Sequence, residues 1–208
     1  MRPYQQMHAS DGYEVLLFPL SYLYMSQDEG SDYSHAGTLN MDFLGYDANG
    51  RVYNCPYYAP CRCKLVYKST SAAYNIWDSV DKVHTPMGLM KVCFMVIHDD
   101  TLPYTIGTVL NQGDLLGHTG SSGQATGDHL HLNVASGNYD GQEQVPPNNN
   151  WQLKNSEHIY SMMYVNDTTI VRGYNHPWLT YQGGQGLNGL KTKFPWVLYS
   201  NKLRKKRM

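Results

Sequence analysis

Short extended runs, each closed by a glycine, proline or asparagine turn, constrain this chain more than any other feature. The runs are "YEVLLFPL" 13–20, "CKLVYKS" 63–69, "KVCFMVIHD" 91–99, "LHLNVAS" 130–136, "TTIVRGY" 168–174 and "FPWVLYS" 194–200. Between them lie "DANGR" 47–51, "GHTGSSGQATGD" 117–128, "SGNYDGQ" 136–142 and "PPNNN" 146–150. Apolar and β-branched runs this short, bounded by turn formers, read as strands. No stretch carries a convincing helical period, and no internal repeat is visible. Aromatic usage leans the same way, with 18 Tyr against 4 Phe beside 19 Gly and 10 Pro. The expected fold is therefore mainly β: an antiparallel β-sheet domain with a C-terminal extension. The proline-asparagine stretch "VPPNNNWQLKNSEH", 145–158, marks the expected division, with residues 1–145 as the main domain. Residues 146–208 would then form a lid, plug or docking segment.

A chain of 208 residues can bury a sizeable core. Its formal net charge of −1 argues against a nucleic-acid-binding protein. The basic tail "KLRKKR", 202–207, reads as a solvated terminus. Cys55, Cys61, Cys63 and Cys93 do not form paired CxxC motifs, so buried thiols or one disulfide are expected rather than a zinc ribbon. The apolar stretch "VLLFPLSYLYM", 15–25, is too short to span a bilayer and contains a proline. No small-residue cleavage site follows it, so no membrane span and no conventional signal peptide are expected.

Chemistry enters with "GDHLHLNVASG", 127–137. Side chains at i and i+2 of a strand share a face. His129, His131 and Asn133 should thus face a cleft, while Leu130, Leu132 and Val134 pack. A hydrolytic zinc site needs three protein ligands, typically two His and a carboxylate, and an open position for water. The HExxH helix motif is absent, so such a site must be built from strands and loops. "SDYSHAGTLNMDF", 31–43, supplies His35 and Asp42, seven residues apart, which a turn must bring together. Met41 and Phe43 suit an acid emerging from a buried strand. Asp32 and Asp47 are the alternatives, although Asp47 in "YDANG" reads as a turn residue.

These segments together resemble the lysostaphin-type, LytM-like zinc metallopeptidases that cleave peptidoglycan peptides. "GDLLGHTGSSGQATGDHLHLNV", 113–134, is similar to the family signature, a glycine-punctuated strand and Gly/Ser loop followed by G-x-H-L-H. "SHAG…MDF" resembles its first ligand segment, "YAPCRCKLVYK" 58–68 its "APxxGxVxxV" strand, and "FMVIHDD" 94–100 its "YxHL" strand. The resemblance covers residues 13–136 in order. It implies a duplicated-hybrid-motif fold with a narrow groove walled by loops, and Zn2+ held by His35, Asp42 and His131. It also implies that His98 and His129 are catalytic and not ligands. One departure is the seven-residue spacing from His35 to Asp42, where four is commonest in the family.

The resemblance further implies bacterial peptidoglycan as the partner. A wall hydrolase without a signal peptide suits a bacteriophage virion, delivered to the wall as part of a tail together with other tail proteins, or a lytic enzyme acting at the cell wall. The competing expectation is a degenerate LytM-like binding or structural module, which should lack one of the five key residues. His118 should line the cleft loop, and His84 should sit in a turn before proline. His8, His158 and His176 should be structural or on the surface. The aromatic stretch 174–186 is expected to be packed, the alternative being a wall that contacts glycan or peptide.

Overall fold

The computed structural model describes residues 1, 3–31, 34–165, 168–172 and, as backbone, 198–201. Nine strands form the main sheet: β1 (Tyr22–Gln27), β2 (Met41–Phe43), β3 (Cys63–Ser69), β4 (Tyr74–Ser79), β5 (Val92–Ile97), β6 (Val109–Leu110), β7 (Leu130–Ser136), β8 (Ser156–Glu157) and β9 (Thr169–Arg172). Their order is β6-β3-β4-β5-β7-β2-β1-β9, and β8 lies beside β7 on the same flank as β2. All pairings in this sheet are antiparallel except β9 on β1. The one helix among the described residues is the single turn Ile159–Met162. The protein is mainly β and antiparallel, as its turn-punctuated runs predict.

The sheet is buried on both faces, and alternation sorts its side chains between them. On one face Leu130, Leu132 and Val134 of β7 join Met41, Phe43, Trp77, Phe94 and Val96 in the main core. On the other face Ala135, Cys93, Met95 and Ile76 pack under Leu153. The hairpin Gln142–Val145 with Asn150–Leu153 supplies that cover. Asn133 is therefore not in a cleft: it is fully buried, and its Oδ1 accepts from Leu153 N at 2.9 Å and Ser156 Oγ at 2.9 Å.

Two segments differ from their sequence expectation. "YEVLLFPL" alternates as a strand should, yet it joins no ladder and makes only isolated bridges, Glu14 to His8, Val15 to His84 and Leu17 to Tyr164. It threads between two cores, sending Leu16, Phe18 and Leu20 into one and Val15 and Leu17 into the other. Side chains are buried on both sides, and the backbone is satisfied by separate segments rather than one strand: Leu16 N donates to His84 O at 2.9 Å, Leu17 N to Pro60 O at 3.1 Å and Phe18 N to Tyr164 O at 2.8 Å. The expected division at 145/146 falls in the turn of the 142–153 hairpin. Beyond it β8 pairs with β7, and Ile159, Met162, Met163 and Val165 enter the main core. The aromatic stretch 174–186, His176 and the basic tail lie outside the described residues. The four cysteines are free and buried. No helix among the described residues is long and apolar enough to cross a membrane.

Candidate metal centre

Asp42 lies directly opposite His131 in the β2–β7 register. Cross-strand partners share a face, so the carboxylate meets the imidazole while Met41 and Phe43 turn into the core on the other side. His35 comes from the turn before β2. Thr38 closes that turn, its N and Oγ1 donating to His35 O at 2.9 and 3.0 Å. The seven-residue spacing thus spans one turn and the start of a strand.

The three side chains converge on one point. His131 Nδ1 lies 2.9 Å from Asp42 Oδ1, His35 Nε2 lies 3.3 Å from the same oxygen, and the two nitrogens are 3.3 Å apart. Four-coordinate zinc with ligands near 2.05 Å would space its donor atoms about 3.3 Å apart. The protonation pattern also suits a cation. His35 Nδ1 donates to Asp28 O at 3.0 Å, which leaves its Nε2 lone pair facing the carboxylate. A carbonyl behind a ligand imidazole is the usual way to fix its tautomer. Asp42 Oδ1 is buried with no hydrogen-bond partner of good geometry. Lone pairs gathered around an orphaned carboxylate oxygen suit a divalent cation, so these residues fit the zinc that the sequence resemblance implies. Burial pushes the Asp42 carboxyl upward, but the imidazoles of His131 and His35 outweigh it and hold it well below the usual range. Burial lowers His131 despite the opposing pull of Asp42.

His129 and His98 stand on the same side. His129 Nε2 is 3.4 Å from Asp42 Oδ2, and its Nδ1 donates to Gly127 O at 2.7 Å. The His98 ring lies 4.5 Å from that of His129 and 5.8 Å from that of His131, centroid to centroid. His98 Nδ1 donates to Ser122 O at 2.7 Å, which leaves Nε2 as an acceptor. Burial lowers His98 to about 4, so it is neutral near pH 7. Its backbone φ is +79°, a conformation uncommon outside glycine and found most often where structure over-determines it. Here His98 N donates to Ala73 O at 2.8 Å while the ring is tethered to Ser122.

Residues that sequence reasoning missed hold these loops. Asp100 Oδ1 accepts from Ser121 N at 3.1 Å and Ser122 Oγ at 2.7 Å, tying the Gly/Ser loop to the His98 segment. Asp99 Oδ2 accepts from His118 N at 2.9 Å, and its Oδ1 accepts from Thr101 N and Oγ1 at 2.8 and 2.7 Å. Asp128, just before His129, accepts from Thr119 Oγ1 at 2.7 Å and Asn54 N at 2.8 Å, and pairs with Arg51 at 3.2 Å. The doubled "DD" of "VIHDD" was the available signal: two adjacent acids after a strand point to opposite sides and can each hold a different part of the Gly/Ser loop.

The remaining candidates fall elsewhere. Asp47 caps its own turn, its Oδ1 accepting from Asn49 N at 2.7 Å. Asp32 lies outside the described residues. His118 N donates to Asp99 Oδ2 at 2.9 Å. His84 is not in a turn: it sits in the strand Val83–Thr85 and pairs with Asp11 at 2.8 Å, because the proline two residues on begins the turn instead. His8 lies 4.0 Å from Glu14, and the half-exposed His158 is 2.7 Å from Glu29.

No protein-family model matches the chain. The chain is 38% identical over 174 residues to Morphogenesis protein 1 of Bacillus phage B103, an alignment that takes in 82% of this chain and 46% of the phage protein. It therefore spans about half the length of the curated relative it matches. Among solved structures it is similar to a zinc-containing peptidase from Vibrio cholerae, at 17% identity and a TM-score of 0.45, covering 62% of this chain and 42% of that one. It is similar to a variant catalytic domain of the prophage-encoded protein EnpA from Enterococcus faecalis, at 17% identity and a TM-score of 0.42 over 64% of this chain and 88% of that one. The catalytic domain of lysostaphin from Staphylococcus simulans gives 17% identity and a TM-score of 0.39 over 56% of this chain and 80% of that one. At 38% identity over 82% of its length, the chain belongs to the family of the phage morphogenesis protein.

Proposed function

We propose that this protein is a zinc metalloendopeptidase that hydrolyses peptide bonds of bacterial peptidoglycan and works as part of a bacteriophage. The observation that carries this assignment is the convergence of His35, Asp42 and His131 on one point, with two further imidazoles on the open side. His35, Asp42 and His131 would hold Zn2+, which when bound polarises a carbonyl and lowers the pKa of water toward ~7.

The chain's own residues do the rest. Asp28 O holds the His35 ring, and the β2–β7 register sets Asp42 against His131. His98 and His129 each donate Nδ1–H to a backbone carbonyl, so each presents Nε2 to the centre. A neutral imidazole nitrogen there can take a proton from the attacking water or, once protonated, stabilise the developing oxyanion and protonate the leaving amine. All five residues are present, which favours an enzyme over a degenerate binding module. The phage relative supports delivery on a virion, and a tail location with other tail proteins as partners follows from the delivery argument.

The test is mass spectrometry of fragments released from purified Gram-positive walls, with and without a zinc chelator. New peptide termini that appear only without chelator are the expected result. New reducing sugar ends would move the activity to glycan and overturn the assignment.

A further inference from the structure

The sheet face that carries the metal centre continues into a tyrosine surface with no assigned role. Register fixes the row: Asp42 pairs with His131, His131 with Ile97, Ile97 with Tyr74 and Tyr74 with Ser69. Since paired residues share a face, Tyr74 stands on the same side as the ligands, two interstrand spacings or ~10 Å from His131.

A bulge recruits a second ring. In β3 strict alternation would put Leu65, Tyr67 and Ser69 on one face. Instead Leu65 pairs with Trp77 in the main core, whereas Tyr67 pairs with Ile76 on the opposite face, because the register shifts between Leu65 and Tyr67. Such insertions re-aim side chains and recur beside active sites. Tyr67 then stacks on Tyr74, centroids 5.7 Å apart and planes 16° from parallel, and meets Tyr139 at 5.8 Å. Tyr67 remains 39% exposed. Tyr74 donates its hydroxyl to Gln142 Oε1 at 3.0 Å, and burial together with the Tyr67 hydroxyl pushes it up to about 12, so it stays protonated. Trp151, 55% exposed, shares the hairpin face of Leu153 and Gln142 by alternation.

We propose that Tyr67, Tyr74 and Tyr139, with Gln142, form a subsite for the glycan strand of peptidoglycan beside the peptide-cleaving centre. This rests on the function proposed above and names a second part of the same substrate. Ring faces accept the apolar C–H face of a pyranose, while phenol hydroxyls and a carboxamide meet its hydroxyl and acetamide groups. None of these four side chains is charged, whereas the stem peptides of peptidoglycan carry free carboxylates and amines that call for charged partners. Continuity with the centre along one row of the sheet lets one substrate occupy both.

The probe is a β-1,4-linked N-acetylglucosamine tetramer, titrated calorimetrically into the full chain with chelator present so that no bond is cut. Saturable binding is expected, weakened at least fivefold in Tyr67→Ala and in Tyr139→Ala, each checked for an intact fold by near-UV circular dichroism. Tyr53→Ala, a 72% exposed ring outside the patch, should bind like the unaltered chain. No saturable binding, or equal affinity in both patch variants, overturns the subsite. Binding of a stem tetrapeptide that the same variants weaken, without tetramer binding, also overturns it by making the patch a peptide site. Because chelator silences cleavage, loss of the peptidase assignment and loss of the subsite are read separately.

Discussion

Asp42 carries more of this site than any other side chain. One carboxylate faces three imidazoles, with His35 and His131 on Oδ1 and His129 on Oδ2. Asp42→Asn keeps the shape and removes the charge, so a nitrogen or a neutral oxygen would face the metal. Zn2+ affinity should fall at least 100-fold, beyond the 10–100-fold typical of losing a group behind a ligand. Equilibrium dialysis with zinc quantified by atomic absorption checks this. Asp47→Asn, in a turn away from the centre, should bind zinc as the unaltered chain does. If the two variants exchanged behaviours, the ligand would be Asp47 and the β2–β7 register would be irrelevant to the metal.

At the scale of elements, the Gly/Ser loop 117–128 shows that its glycines serve different ends. A Cβ on Gly120 would lie 2.1 Å from His98 O and 2.9 Å from Asp100 Oδ1. A Cβ on Gly117 would lie 2.2 Å from Asp99 Oδ2. These two glycines are there for space: Gly120 packs against the backbone of the strained His98 segment, and Gly117 against the Asp99 and Tyr57 side chains. Gly127 has open room around its Cβ position. Gly120→Ala should therefore cost about 1–3 kcal/mol of stability and lower wall cleavage at least tenfold by displacing His98. Gly127→Ala should leave stability nearly unchanged. Denaturant melts and fragment release measured on both variants decide the matter. Equal effects would mean that loop conformation, and not the His98 contact, limits the site.

For the whole molecule, the four thiols report on how tightly the sheet is sealed. All are buried and free, and burial pushes Cys93 up to about 12 and Cys61 and Cys63 well above the ordinary thiol range. The thiolate is the reactive form, so iodoacetamide at pH 8 should label none of the four in the native protein within minutes. In denaturant it should label all four, as mass spectrometry would show. Rapid native labelling of Cys93 would mean that the cluster beneath Leu153 opens, and with it the wall of the site.

The sequence by itself determined the local parts: strands β3 and β7 are its alternating runs end to end, and the HLH spacing put His129 and His131 on one side. It also favoured Asp42, because an acid between Met41 and Phe43 must alternate out of a core. These are properties of neighbours along the chain, set by the two-residue period of a strand. Only the tertiary structure decided which strand lies beside which, and so that Asp42 faces His131 and that Asn133 is covered by the 142–153 hairpin. It alone decided that residues 13–20 thread between two cores instead of joining a ladder, and that Asp99 and Asp100 hold two different points of the Gly/Ser loop. A bulge between Leu65 and Tyr67 likewise breaks the period that sequence reading relies on. Register and long-range hydrogen bonds depend on residues dozens of positions apart, and no local pattern encodes them.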